Sequence, residues 1–363
     1  MNQSTIIQKA LDLNFLSKEE GNYLYNQLSL PEIAQLGNSI KMKLHPHQEV
    51  GWIVDRNINI TNICIGKCKF CNFHRLINQE GTYITTREEY KLKIDELISL
   101  GGNQILLQGG MHPKLDIVFY EELFRNLKQD FPTLKLHALG PPEIAHIARV
   151  SKLDIATTIH RLVEAGLDSL PGAGAEILVD EVRSYLSPGK CDSDTWLNVM
   201  EIAHRQKLTT SATMMFGHIE TFENRIDHLI KIRDLQQKSL NHSEGFTAFI
   251  LWPFQKTNTV LEKLKNIKHQ VTTHEYIKML ALSRIMLPNI KNIQASWLTT
   301  GIDSGMLSLH AGANDMGSIM IEENVVSAAG SNNSLNKISM INTIEKAGFI
   351  PRLRNQRYEF INY

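Results

Sequence analysis

Residues 52–71 read WIVDRNINITNICIGKCKFC. The stretch opens as an apolar, β-branched run of the kind that forms a strand, and it ends on Cys64, Cys68 and Cys71, three cysteines in eight residues. Downstream the pattern repeats without the cysteines. Short runs (QILLQG, KLHALG, DSLPG, TTSATMMFG, GFTAFILWPF, NIQASW and SLHAGAND) alternate with amphipathic helical patterns at 86–100, 120–130, 193–206, 221–237 and 272–286. This alternation predicts parallel strands joined by crossover helices. About eight units over roughly 270 residues match an α/β fold of the closed (β/α)8, TIM-barrel type, whereas a doubly wound open sheet usually needs fewer. Polar and glycine residues cluster just after the expected strands, at 108–110, 137–142, 172–176, 217–220, 252–255 and 314–317. Parallel α/β proteins build their sites there, because loops beyond the carboxyl ends of strands can be polar without disturbing the core.

Ahead of this region the first fifty residues read as helical. Ile6, Ile7, Ala10, Leu11 and Leu13 mark one helix, Ser17 with Glu20 marks the capped start of a second, and a third begins near Pro31. We divide the chain into an N-terminal helical extension at 1–50, a barrel at 51–330, and a C-terminal helical extension at 331–363 packed on it. Lys plus Arg and Asp plus Glu both number 38, for a formal charge of zero. That balance gives no broad electrostatic footprint for nucleic acid or an anionic membrane. No apolar run approaches the roughly 20 residues of a membrane span. The start, MNQSTIIQKALDLNFLSKEE, resembles neither a signal nor a transit peptide. The expectation is a cytoplasmic protein.

Only four cysteines occur, and Cys191 stands far from the other three. A disulfide scaffold would spread more cysteines through a shorter chain. Cys-x3-Cys-x2-Cys instead brings three sulfurs round a point, as a metal site does. Zinc would want a fourth ligand, which His74 could supply, and inert buried thiols are the plainer alternative. An iron–sulfur cubane explains more, because three thiolates leave one iron open to another ligand. Gly66 helps a short loop fold round a bulky cofactor, and Lys67 and Lys69 can offset cluster charge.

The three cysteines, with Phe70 before the last, resemble the motif of the radical S-adenosylmethionine superfamily. The resemblance implies a [4Fe-4S] cluster, S-adenosyl-L-methionine bound at its open iron, and reductive cleavage to a 5′-deoxyadenosyl radical. It continues through DRNINITNICIGKCKFCNF, GGNQILLQGGMHP, PPEI, AGLDSLPGAGAEILVDEVR, SATMMFGHIET, FILWPFQ, NIQASW and GANDMGSIMIEENVVSAAG, between about 52 and 358. These segments are similar to the branch holding the menaquinone futalosine-pathway enzymes and the deazaflavin synthase components. Two departures stand out: Ala173 where PGGGAEI would have glycine, and HALGPPEI in place of HSFSPPEI.

The resemblance implies roles as well. Cys64, Cys68 and Cys71 hold the cluster. Gln108, Gly109 and Gly110 meet the methionine amino group, Phe70 lies near adenine, and Glu176 and Arg183 hold the ribose hydroxyls and carboxylate. Within this branch the cyclisation substrate is dehypoxanthine futalosine, with His137, Trp252, Gln255, Gln294, Trp297 and Asn314 as substrate contacts at strand ends. Asp315 is the candidate base for the last proton. A small electron donor such as flavodoxin or ferredoxin is implied as partner.

Overall fold

The computed structural model describes residues 2–264, 269–322 and 333–361. Three helices come first, α1 (Gln3–Leu11), α2 (Lys18–Gln27) and α3 (Leu30–Leu44). The expected start of α2 is present as a capping box: Ser17 Oγ accepts from Glu20 N–H, and Glu20 Oε2 accepts from Ser17 N–H at 2.7 Å. Helix α3 lies against α11 (Thr273–Met286) through Gly37, where a Cβ would sit 2.4 Å from Ala311 O and 3.3 Å from Ala281 Cβ. The extension is thereby packed on the outside of the barrel.

Among the described residues the sheet contains ten strands, all parallel, in the order β10-β1-β9-β8-β7-β6-β5-β4-β3-β2. The strand at one end, β2, and the strand next to the other end, β1, are two halves of one stretch of chain. Strand β1 (Glu49–Ile53) and β2 (Asp55–Asn59) are separated by Val54 alone; β1 pairs with β9 (Asp315–Ser318), and β2 pairs with β3 (Gln104–Gln108). The sheet therefore returns on itself, as a (β/α)8-type barrel requires. Between lie β4 (Lys135–Ala138), β5 (Ser169–Leu170), β6 (Thr209–Phe216), β7 (Phe246–Pro253) and β8 (Asn292–Gln294).

Two details differ from the sequence reading. The run SLHAGAND is not a strand: Ile302–Leu309 is a helix, α13, and the strand starts only at Asp315. The C-terminal extension is not helical throughout, since α14 (Lys337–Lys346) is followed by β10 (Ile350–Leu353), which pairs with β1 and joins the sheet. Residues 331–332 and 362–363 of that extension lie outside the described residues, as does 323–330 of the GANDMGSIMIEENVVSAAG segment. Among the described residues no helix is long and apolar enough to cross a membrane.

A barrel of this kind usually fills its interior with branched apolar side chains. Here Asp55, Asn57 and Asn59 of β2, Gln108 of β3, His137 of β4, Ser211 and Thr213 of β6 and Gln294 of β8 all face a cavity of about 430 Å³. These polar groups stand among apolar lining residues such as Leu106, Ile250 and Trp252, the mixture expected of a ligand site.

Candidate active site

Beyond β2 the chain enters a loop fastened by main-chain bonds. Cys64 N–H donates to Arg75 O at 3.0 Å, Ile65 N–H to Met111 O at 3.1 Å, and Gly110 N–H to Thr61 O at 2.8 Å. Gly66 stands beside two of the thiols, where a Cβ would lie 3.2 Å from Cys64 Sγ and 3.5 Å from Cys68 Sγ. Gly110 lets the loop after β3 approach so closely that a Cβ there would lie 2.2 Å from Ile63 O.

Cys64, Cys68 and Cys71 line one part of the cavity. Gly66 N–H and Met111 N–H point at Cys64 Sγ from 3.2 and 3.3 Å. Burial nonetheless pushes the Cys64 thiol up, and the Cys68 thiol up to about 11, so both keep their protons until a metal centre displaces them. Among the described residues, no three His, Cys, Asp or Glu side chains converge as a single-ion site needs. Three thiols round a recess floored by glycine suit a bulky cluster better than a tetrahedral zinc. His74, zinc's expected fourth ligand, points Nδ1 at Cys71 O, 3.0 Å away. Cys191 does not line the cavity; its carbonyl accepts from Arg183 Nη2 at 2.7 Å.

Near the thiols sit two ionisable groups that sequence reasoning missed. Lys190 is bound to Glu176 at 2.7 Å and lies 5.5 Å from the centroid of the Phe70 ring. Burial opposes its charge, but the neighbouring Cys68 and Glu176 hold its ammonium above the usual lysine range. This is the cation that Lys67 and Lys69 were expected to provide. Lys67 is exposed, and Lys69 lies 3.2 Å over the Tyr185 ring. Glu143, from the PPEI segment at the start of α6 (Pro141–Ser151), accepts from Gly109 N–H at 3.0 Å. Burial pushes its carboxyl up to about 8, against the opposing pull of Gly109 N–H and Lys190.

Of the expected residues, Phe70, Gln108, Gly109, Gly110, Glu176, His137, Trp252, Gln294 and Trp297 join the cysteines in the cavity lining. Four do not. Arg183 spends its guanidinium on Gly174 O, Ala175 O and Cys191 O, so it braces the loop that carries Glu176 and Lys190. Gln255 Nε2 turns back on Pro253 O at 3.1 Å. Asn314 is buried, accepting from Arg284 Nη2 and Ile293 N–H at 2.9 Å each. Asp315 is 1% exposed and held by Arg354 through bonds of 2.5 and 2.8 Å, at the amino end of β9, away from the thiols. It is therefore not placed to take a proton in this cavity.

The two departures from the family pattern meet in space. A Cβ on Gly140 would lie 3.0 Å from Ala173 Cβ, tighter than most side-chain contacts. An alanine at 173 thus goes with a glycine at 140.

The C-terminal segment adds Arg354, Gln356 and Tyr358 to the lining. Gln356 Nε2 donates to His137 Nε2 at 3.2 Å, which leaves His137 Nδ1–H to donate to Ser169 Oγ at 2.8 Å. Burial, helped by Arg354, pushes His137 down to about 3, so its ring is neutral.

Comparison with known proteins agrees with this geometry. Residues 58–232 match the Radical SAM superfamily, and 243–363 match the CofH/MqnC C-terminal region. The chain is 41% identical over 356 residues to cyclic dehypoxanthine futalosine synthase of Halalkalibacterium halodurans, covering 98% of this chain and 94% of that one. It is 35% identical over 315 residues to 5-amino-6-(D-ribitylamino)uracil--L-tyrosine 4-hydroxyphenyl transferase of Methanopyrus kandleri, covering 86% and 84%. In fold it is similar to methylornithine synthase, with a TM-score of 0.71 at 21% identity over 97% of this chain and 98% of that one. A (β/α) barrel with three thiols beside a central cavity that carries several polar side chains is the framework of a radical S-adenosylmethionine enzyme. This chain belongs to that superfamily, in the branch defined by the CofH/MqnC C-terminal region.

Proposed function

We propose that the enzyme cyclises dehypoxanthine futalosine, forming a carbon–carbon bond from ribose C4′ to the benzoate ring of the same molecule, a step of menaquinone biosynthesis. The observation that carries this reading is 41% identity to a cyclic dehypoxanthine futalosine synthase, maintained over 98% of this chain. When bound, a [4Fe-4S] cluster and S-adenosylmethionine supply the hydrogen-abstracting radical that an unactivated C–H bond demands. The chain's own residues bind, orient and enclose. Cys64, Cys68 and Cys71 hold the cluster, and Lys190 offsets part of the negative charge of the thiolate set. The Gln108–Gly110 main chain and Glu143 receive the amino-acid end of S-adenosylmethionine, Glu176 its ribose and Phe70 its adenine. Asn57 and Gln294 present amides to substrate hydroxyls, and Trp252 and Trp297 flank the aromatic ring. Fixing both halves of one substrate in this cavity is how such a barrel brings the two carbons together.

Restoring aromaticity releases one electron and one proton. Asp315, locked to Arg354, is not the proton's acceptor. A flavodoxin or ferredoxin would deliver the electron that starts each turnover. Reduced, cluster-loaded protein with S-adenosylmethionine tests the reading in two arms. One contains dehypoxanthine futalosine, the other 5-amino-6-(D-ribitylamino)uracil with tyrosine. Substrate-dependent 5′-deoxyadenosine in the first arm, with a product lighter by a pair of hydrogens, is the expected result; turnover in the second arm alone overturns it.

A further inference from the structure

A second cavity, of about 580 Å³, includes the amino-end residues Asn314 and Asp315 in its lining, and its rim includes the exposed residues His47, Glu244, Arg357 and Glu359. Tyr358 lines both this cavity and the one that holds the thiols. Its placement is built, not incidental. After β10 the chain makes a tight hairpin in which Arg354 and Phe360 form an antiparallel bridge. Asn355 N–H donates to Glu359 O at 3.0 Å, Tyr358 N–H to Asn355 O at 3.1 Å, and Asn355 Oδ1 accepts from Arg357 N–H at 2.8 Å. Within it Tyr358 has φ 61°, a left-handed conformation that disfavours a residue with a side chain by about 1 kcal/mol or more. The strain sets the aromatic ring between the two cavities. There the Arg354 guanidinium stacks on it at 3.7 Å, and the hydroxyl donates to Gln294 Oε1 at 3.3 Å. Arg354 is in turn fixed by its paired bonds to Asp315.

We infer that Tyr358, clamped by the Arg354–Asp315 pair, is a partition that seals the reaction chamber from the solvent-facing cavity at the other end of the barrel, keeping hydrogen donors from the substrate radical. The inference rests on the proposed reaction, in which a carbon radical forms in the chamber. Such a radical is quenched by any small thiol that reaches it. A hydrogen atom passes from the thiol sulfur to carbon, the substrate is regenerated, and two thiyl radicals pair as a disulfide. The cyclised product is lost while 5′-deoxyadenosine still accumulates.

The test uses the cluster-loaded full chain in D2O with dithiothreitol as the thiol, whose S–H exchanges to S–D. Tyr358→Ala should raise the ratio of 5′-deoxyadenosine to product several-fold and leave deuterium in recovered dehypoxanthine futalosine. Tyr358→Phe, which keeps the ring, should retain the parent ratio. Acrylamide quenching of tryptophan fluorescence reads the partition without turnover, because Trp252 and Trp297 line the chamber while Trp52 and Trp196 are fully buried. It should rise in Tyr358→Ala and not in Tyr358→Phe. An unchanged ratio, no deuterium and unchanged quenching in Tyr358→Ala would overturn the inference. If the parent enzyme ignores dehypoxanthine futalosine, the functional reading has failed, and quenching alone decides the partition, a rise upholding it and no rise overturning it. Should Tyr358→Ala fail to load iron, Tyr358→Leu, which fills part of the space without the stack, takes its place in both assays.

Discussion

Glu143 is the residue whose protonation the fold controls most visibly within the cavity. Its carboxyl is pushed from 4.5 up to about 8 by burial, so the folded chain prefers the protonated form. For a carboxyl shifted upward, the stabilisation is complete below the unfolded value and is lost as pH climbs toward the folded one. Glu143→Gln keeps an oxygen for Gly109 N–H and removes the buried charge. The variant should match the parent in denaturant melts near pH 4.5 and exceed it at pH 9, by about 1.4 kcal/mol for every tenfold by which folding tightens the carboxyl's hold on its proton. A gap that does not widen with pH would show that the carboxyl is not held up. In turnover the same variant should lose S-adenosylmethionine cleavage together with cyclised product, because Glu143 stands where the methionine amino group is received; cleavage equal to the parent's would remove it from that role. Cys68→Ala should lose the roughly four irons of a cubane and all cleavage of S-adenosylmethionine while keeping its circular dichroism; Cys191→Ala should keep both, and iron loss there would make Cys191 a ligand. The three cysteines were legible because they lie within eight residues. Lys190 and Glu143 were not, since Lys190 meets Glu176 across 14 residues and Glu143 meets Gly109 across 34. Only the closing of the barrel brings those loops together.

Register decided what the elements revealed. The capped N-terminal helices and most strands could be read because capping boxes and apolar runs are local signals. Strand β9 could not, as its sequence, Asp-Met-Gly-Ser, has no β-branched run, and the apolar residues before it belong to α13. Reading the strand one element early moves Asn314 and Asp315 from its amino end to its carboxyl end, and so from a buried ion pair to an active site. The C-terminal hairpin was hidden for another reason: Gln356 reaches His137 across 219 residues. The Arg354–Asp315 pair is nearly sealed from solvent, with side-chain exposures of 3% and 1%. Arg354→Met should destabilise the protein by about 3–5 kcal/mol, because it leaves an unpaired buried carboxylate. Adding Asp315→Asn should recover much of the loss in the same denaturant titration; no recovery would mean that Arg354 acts through packing on Tyr358 and not through charge.

At the scale of the molecule, the barrel is an enclosure assembled from distant parts of the chain. One stretch, 49–59, supplies both β1 and β2 and so links the two sides of the sheet, the C-terminal strand extends the sheet beyond β1, and the hairpin after it adds side chains to the interior. The class of fold was legible from the count and spacing of strands and helices, but a shared barrel does not define a reaction. What distinguishes this one is a set of amides and hydroxyls placed among the apolar side chains of its interior, bounded by thiols at one side and by Tyr358 at another. That interior is suited to holding one polar, aromatic substrate beside a radical source. The most direct measurement uses dehypoxanthine futalosine deuterated at ribose C4′, incubated anaerobically with the reduced enzyme and S-adenosylmethionine. Deuterium should appear in 5′-deoxyadenosine, and the cyclised product should lack it. Cleavage of S-adenosylmethionine that leaves 5′-deoxyadenosine free of deuterium, with or without cyclised product, would contradict hydrogen abstraction from that carbon.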